Sequence, residues 1–138
     1  MCPQGLSIDS RLDAIDGLME QLCRLASPTL PGDRLIAMEI VLVEALTNII
    51  LHGESGPQAK IDLLVSTGAD AVTIEIRDDG RPVPEGLFQA ARDPAEIDPL
   101  AENGRGIALI ASLSDRLDYH SDAEGNRLIL TFLTEEVA

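Results

Sequence analysis

The sequence predicts an α+β domain, a layered sandwich with its helices grouped on one side of a sheet. Three observations carry this. Two pairs of segments alternate apolar and polar residues and are each joined by a short polar turn, the pattern of antiparallel hairpins. Three other segments repeat apolar residues at helical spacing. Successive strand–helix–strand units, which a doubly wound parallel sheet requires, are absent from the pattern. With 138 residues the chain has the length of one domain and can bury a core without disulfides or structural metal.

Residues 9–26 read as a first helix, with Asp9 and Ser10 as caps and Leu12, Ile15, Leu18, Met19, Leu22 and Leu25 on one face. Pro28 and Pro31-Gly32 then break the chain. Residues 33–52 form the strongest helix: Asp33 can cap it, Leu35, Met38, Leu42, Ala45, Leu46 and Ile49 make its apolar face, and His52-Gly53 closes it. Residues 59–66 alternate, with Ile61, Leu63 and Val65 on one side. Gly68-Ala69-Asp70 turns the chain, and residues 71–78 alternate again. Residues 80–103 hold Pro82, Pro84, Pro94 and Pro99 among many acids and read as a long loop with one short helical turn near Leu87 to Ala91. A loop of this length in a small domain is usually functional. Residues 105–115 return to helix through Ile107, Leu109, Ile110 and Leu113. Two last strands, 116–121 and 127–134, flank the turn Asp122-Ala123-Glu124-Gly125.

Composition narrows the partners. The formal charge is −14, which repels phosphate backbones and anionic lipid and suits a basic protein partner. Aromatics make up 2%, so the core is built from Leu, Ile, Val and Ala. A phosphate ligand in so negative a field needs Mg²⁺ and backbone N–H groups. Cys2 and Cys23 form no CxxC or Cys/His cluster, and Cys23 falls in an amphipathic pattern as a small buried group. No apolar run approaches the length of a membrane span, and the N-terminus lacks the pattern of a signal peptide. The expectation is a soluble cytoplasmic protein that touches neither membrane nor nucleic acid.

Three groups of residues are suited to chemistry, each with an ordinary alternative. Glu44 and Asn48 lie one turn apart on a helix face that His52 continues. The carboxamide oxygen can join the shell of a hydrated Mg²⁺, and the carboxylate can orient or deprotonate a hydroxyl. Taken alone, both read first as the solvent border of an amphipathic helix, and His52 as a cation at the helix end before a phosphate contact. Asp78 continues the inward phase of Val72, Ile74 and Ile76 and is followed at once by Asp79-Gly80. An inward carboxylate needs a donor, which the exocyclic amine of a purine would supply; a strand-end turn is the alternative. Asn103-Gly104-Arg105-Gly106-Ile107 opens a helix whose free N–H groups suit phosphate, or is a plain glycine turn.

The order of these signals resembles the GHKL ATPase superfamily. The stretch from Glu44 to Asn48 with His52-Gly53 is similar to its N box, Asp78-Asp79-Gly80 to its first glycine box, and Gly104-Arg105-Gly106-Ile107 to its second. The resemblance spans nearly the whole chain. Its Glu-Ala-x-x-Asn form and the Gly125-Asn126-Arg127-Leu128 start of the last strand look like the anti-sigma-factor serine-protein kinase branch.

That resemblance implies the histidine kinase-like (Bergerat) fold, a two-layer α/β sandwich with a mixed, mostly antiparallel sheet and an ATP lid over about 81–103. It implies ATP and Mg²⁺ as ligands, with Glu44 as general base, Asn48 on the metal, Asp78 on the adenine amine and Gly80 allowing close approach. Gly104, Arg105 and Gly106 would hold the phosphates, with His52 and Asn126 also at the nucleotide. The implied reaction is phosphoryl transfer to a Ser or Thr of a STAS-type anti-sigma-factor antagonist. The same domain would sequester a sigma factor, and the branch commonly forms homodimers. Three positions depart from the pattern: Pro82 stands where a second Gly is frequent, Ile49 where Ala is frequent, and Asn126 where Thr is frequent. The alternative is a module that binds ATP, or no nucleotide, and sequesters a protein without kinase activity.

Overall fold

The computed structural model describes residues 3–53, 56, 58–84, 88 and 104–135. A five-stranded sheet is formed by β1 (Gln4–Asp9), β2 (Lys60–Thr67), β3 (Ala71–Asp78), β4 (Arg116–Asp122) and β5 (Gly125–Leu133), in the spatial order β1-β2-β3-β5-β4. Every pairing among the described residues is antiparallel, so the parallel component of the expected mixed sheet is not among them. The helices α1 (Ile15–Ala26), α2 (Gly32–His52) and α3 (Gly104–Leu113) supply the second layer.

Period-two patterning decides which side they cover. Ile61, Leu63, Val65, Val72, Ile74, Ile76, Leu128, Leu130 and Phe132 are buried, while their strand neighbours Asp62, Arg77 and Arg127 are exposed. The apolar face meets Leu18, Leu22, Met38, Leu42 and Leu46 from α1 and α2, and Ile107 and Ile110 from α3. Register turns this alternation into rows across the sheet. Val72 faces Phe132, Ile74 faces Leu130 and then Leu117, and Ile76 faces Leu128 and then Tyr119. The row beyond these is polar: Asp78, Asn126 and Ser121.

The first element differs from the expectation. Asp9 ends a strand instead of capping a helix, and a single 3-10 turn at Leu12–Ala14 precedes α1. β1 is an edge strand whose only inward apolar residues, Leu6 and Ile8, are partly buried; its pairing with β2 makes it a strand. Asp33 lies inside the first turn of α2, after the N-cap Pro31, and makes no cap hydrogen bond. In the last hairpin the strands run closer to the turn than the pattern suggests, to Asp122 and from Gly125. Of the short helix expected near Leu87 to Ala91, only Phe88 lies among the described residues.

α2 is 21 residues long and its most apolar stretch has mean hydropathy 1.8, so by length and composition it is sufficient to cross a membrane, contrary to the sequence expectation. Packing accounts for part of that apolarity, since Ala37, Met38, Val41, Leu42, Ala45 and Leu46 are buried in this domain. Near its start Arg34 pairs with Asp115 and donates from Nε to the Leu133 carbonyl at 3.1 Å. Asp115 also accepts the Leu133 N–H at 2.8 Å. This mostly buried pair ties α2 to the far ends of β4 and β5.

Candidate nucleotide-binding site

At the other end of β5 a pocket of about 280 Å³ opens between α2, α3 and the sheet. From α2 it is lined by Ala45, Asn48, Ile49, Leu51 and His52, and from the end of β3 by Asp78. The volume is at the lower end of the range for small-molecule sites. Mixed apolar walls and a single inward carboxylate are the composition expected of a site that buries a flat heteroaromatic ring and reads one edge of it.

Asp78 is held on one side only. Its Oδ1 accepts the Gly80 N–H at 2.9 Å and an Asn126 Nδ2 hydrogen at 3.0 Å. Among the described residues no donor is recorded for Oδ2, and Asp78 lines the pocket. Gly80 is required by close approach: a Cβ there would lie 2.6 Å from the Gly53 carbonyl oxygen, a backbone atom that cannot yield cheaply. The Gly53 carbonyl also accepts the Arg81 N–H, so the end of α2 and the strand-end turn after β3 are clamped together. Gly125 has φ 121, and a Cβ on it would lie 2.9 Å from the Asp78 carbonyl oxygen.

The segment after Gly80 forms a wall of the pocket through Arg81, Pro82, Val83 and Pro84. Prolines carry no N–H, so its backbone donors are those of Arg81 and Val83. The first goes to Gly53, and the second donates to the Tyr119 hydroxyl oxygen at 2.8 Å. Tyr119 packs against Phe88 with ring centroids 5.1 Å apart. Burial raises the Tyr119 phenol above its ordinary value; the Val83 N–H works against this and the nearby Asp78 charge adds to it. The chain holds one Tyr and two Phe, and two of these three rings line this pocket.

Of the residues singled out from the sequence, Asn48, His52 and Asp78 line one pocket, with Gly80 at its rim and Asn126 beneath Asp78. Pro82 and Ile49, two of the three departures, both line it. Glu44 lies a turn further along α2. A Cβ added to Gly106 would lie 3.0 Å from Glu44 Oε2, so this carboxylate rests against the first turn of α3, where helix N-terminal N–H groups favour negative charge. Glu44 and Gly106 are therefore brought together, beside the pocket and not inside it. Gly104 and Arg105 begin α3, with the Arg105 side chain outside the described residues; so is most of the expected lid. No group of three His, Cys, Asp or Glu among the described residues is arranged to hold a metal.

Sequence patterning missed Tyr119, Phe88, Val83 and Ser121. For Tyr119 a signal existed, since it shares the inward phase of Leu117 in its strand. For Phe88 the only hint was a lone aromatic in a polar loop.

Two comparisons bear on this arrangement. The histidine kinase-like ATPase domain family matches residues 8–132, from the end of β1 to β5. The anti-sigma F factor of Bacillus licheniformis is 31% identical over 103 residues, covering 72% of this chain and 69% of that protein. The chain belongs to the histidine kinase-like ATPase family, in its anti-sigma factor kinase branch.

Proposed function

We propose that this chain is a cytoplasmic, Mg²⁺-ATP-dependent serine/threonine-protein kinase that phosphorylates an anti-sigma-factor antagonist and sequesters a sigma factor. The observation that carries the reading is the carboxylate of Asp78, held through one oxygen only and lining a pocket that Asn48 also lines. Asp78 takes the exocyclic amine of adenine, and the missing Cβ of Gly80 lets the Gly53 carbonyl close against the turn whose N–H holds Asp78. Asn48 would hold Mg²⁺ through its carboxamide oxygen, and the ion would supply the positive charge that phosphates need in this acidic domain. Gly104, Arg105 and Gly106 hold phosphate oxygens at the start of α3, and His52 offers an imidazole N–H where α2 ends. Glu44 accepts the proton of the attacking hydroxyl once it swings from the first turn of α3 towards the phosphates.

The position of Glu44 also favours a second reading, a protein-sequestering module without phosphoryl transfer, because a carboxylate held by a helix terminus is a stable resting place. Labelled ATP separates the two. Incubation with a STAS-type antagonist is expected to label a Ser or Thr of that protein, and Glu44→Gln to bind ATP yet transfer nothing. Tight ATP binding by the wild type without transfer to any such protein would leave sequestration as the function.

A further inference from the structure

The polar row that ends the inner face of the sheet has an internal order. Asp78, Asn126 and Ser121 lie opposite one another on β3, β5 and β4. Asn126 is only 4% exposed, so its bonds are made inside the protein. One Nδ2 hydrogen goes to Asp78 Oδ1 at 3.0 Å and the other to the Gly80 carbonyl at 2.8 Å. Its Oδ1 accepts the Ser121 hydroxyl at 2.7 Å. Facing two acceptors on one side and a hydroxyl on the other, the carboxamide has one satisfactory orientation.

We propose that Asn126 and Ser121 are positioning residues that make the pocket selective for a purine carrying an exocyclic amine, and that Asn126 does not itself touch the nucleotide. The inference rests on the ATP reading above. A carboxamide contributes two donor hydrogens, and both are spent on Asp78 and Gly80. Asn126 therefore has no donor left for a ring nitrogen. What it does is fill Asp78 Oδ1, together with the Gly80 N–H, and so fix the carboxylate plane of a residue that lines the pocket, leaving Oδ2 as the oxygen without a recorded donor. An acceptor held there matches an amine and repels a carbonyl. Ser121 acts one step further back: without its hydroxyl, Asn126 Oδ1 has no recorded donor among the described residues, and the carboxamide is free to tilt away from both its acceptors.

The test compares ATP with inosine triphosphate, which carries a carbonyl where ATP carries the amine. Calorimetry on the wild type is expected to show a preference for ATP. In Ser121→Ala that preference should shrink roughly fivefold, the size of one net hydrogen bond, with inosine triphosphate affinity unchanged. Ser121→Thr keeps the hydroxyl and should restore the preference. An equal loss for both nucleotides, or no change in their ratio, would overturn the proposal. A second measurement needs no nucleotide. The Asn126 side-chain amide protons should exchange slowly with solvent in the wild type and faster in Ser121→Ala; exchange at solvent rates in the wild type overturns the proposal even if ATP binds. A wild type that binds neither nucleotide defeats the ATP reading and this specificity with it, whereas one that binds both equally defeats the specificity alone.

Discussion

β5 runs between two polar clusters. At its Leu133 end, Arg34 and Asp115 pair with each other and with the backbone of Leu133, and their side chains are 11% and 13% exposed. At its Asn126 end, Asp78 is gripped by Asn126 and Gly80 through one oxygen, and its other oxygen has no recorded donor among the described residues. The two clusters share a strand and a sheet. One holds its carboxylate on a guanidinium and a backbone N–H, charge against charge. The other holds its carboxylate on neutral donors alone and lines a pocket. A buried polar group without all of its partners is costly, so an acceptor left open at a cavity is where a ligand is to be sought.

The largest expected effect breaks the closed end. Arg34→Ala leaves Asp115 sheltered without its cation, and the fold should lose about 3 kcal/mol. Urea unfolding would register this as a lower midpoint, while ATP affinity measured on the still-folded fraction should stay at the wild-type value. Asp78→Asn is the reverse experiment. The amide oxygen can still accept from Gly80 and Asn126, so stability should hardly move. Its NH₂ would then meet the amine of the base donor to donor, and ATP binding should weaken by about 2 kcal/mol, roughly thirtyfold in Kd by calorimetry. Should both variants lower stability and leave binding alone, the contrast between the two ends disappears.

Tyr119→Phe sharpens the comparison by touching the wall of the open end without its carboxylate. The Val83 N–H would lose its acceptor, at a cost of about 1 kcal/mol in unfolding experiments. Nucleotide should also dissociate faster in stopped-flow displacement, because the pinned Arg81–Pro84 wall is released at one of its two anchors. A slower or unchanged release would show that the wall is held by packing alone.

The smallest effect lies away from both ends, between α1 and α2. Cys23 donates its S–H to Glu39 Oε1 at 2.9 Å. Burial first, and Glu39 second, push the Cys23 thiol up from 9.0 to about 12. The unfolded chain therefore loses this proton at a lower pH than the folded one. The stability contributed by the protonated thiol is complete below pH 9.0 and is lost as the pH rises towards about 12. Urea midpoints followed from neutral pH into that window should fall less in Cys23→Ala than in the wild type. The thiol should also alkylate slowly at neutral pH, since little thiolate exists there.

Much of this could be read from residue order, and the failures have particular causes. Period-two alternation pointed Ile61, Leu63 and Val65 inward, and likewise Val72, Ile74, Ile76 and Asp78, as the rows of the sheet confirm. Helical spacing located α2 and α3 to within a residue or two. β1 escaped because Leu6 and Ile8 are too few to make a pattern, and an edge strand depends on its neighbour. Ser121 escaped because nothing local in Arg116–Asp122 announces which residue of β5 it will face. Tyr119 and Phe88 meet across distant positions, a contact no local spacing encodes.

By itself, then, the sequence determined the alternation that makes one side of the sheet apolar, the helix that carries Glu44, Asn48 and His52 on one face, and the inward direction of Asp78. These depend on backbone periodicity, which each segment carries within itself. Tertiary structure decided the rest: that Asn126 and Ser121 fall in line with Asp78, that Gly53 closes on Gly80, that Tyr119 reaches Val83, and that Glu44 rests on the first turn of α3. Register between strands and the docking of helix ends are set by the packing of the whole core, because a shift of one residue would turn every inward side chain to the other face.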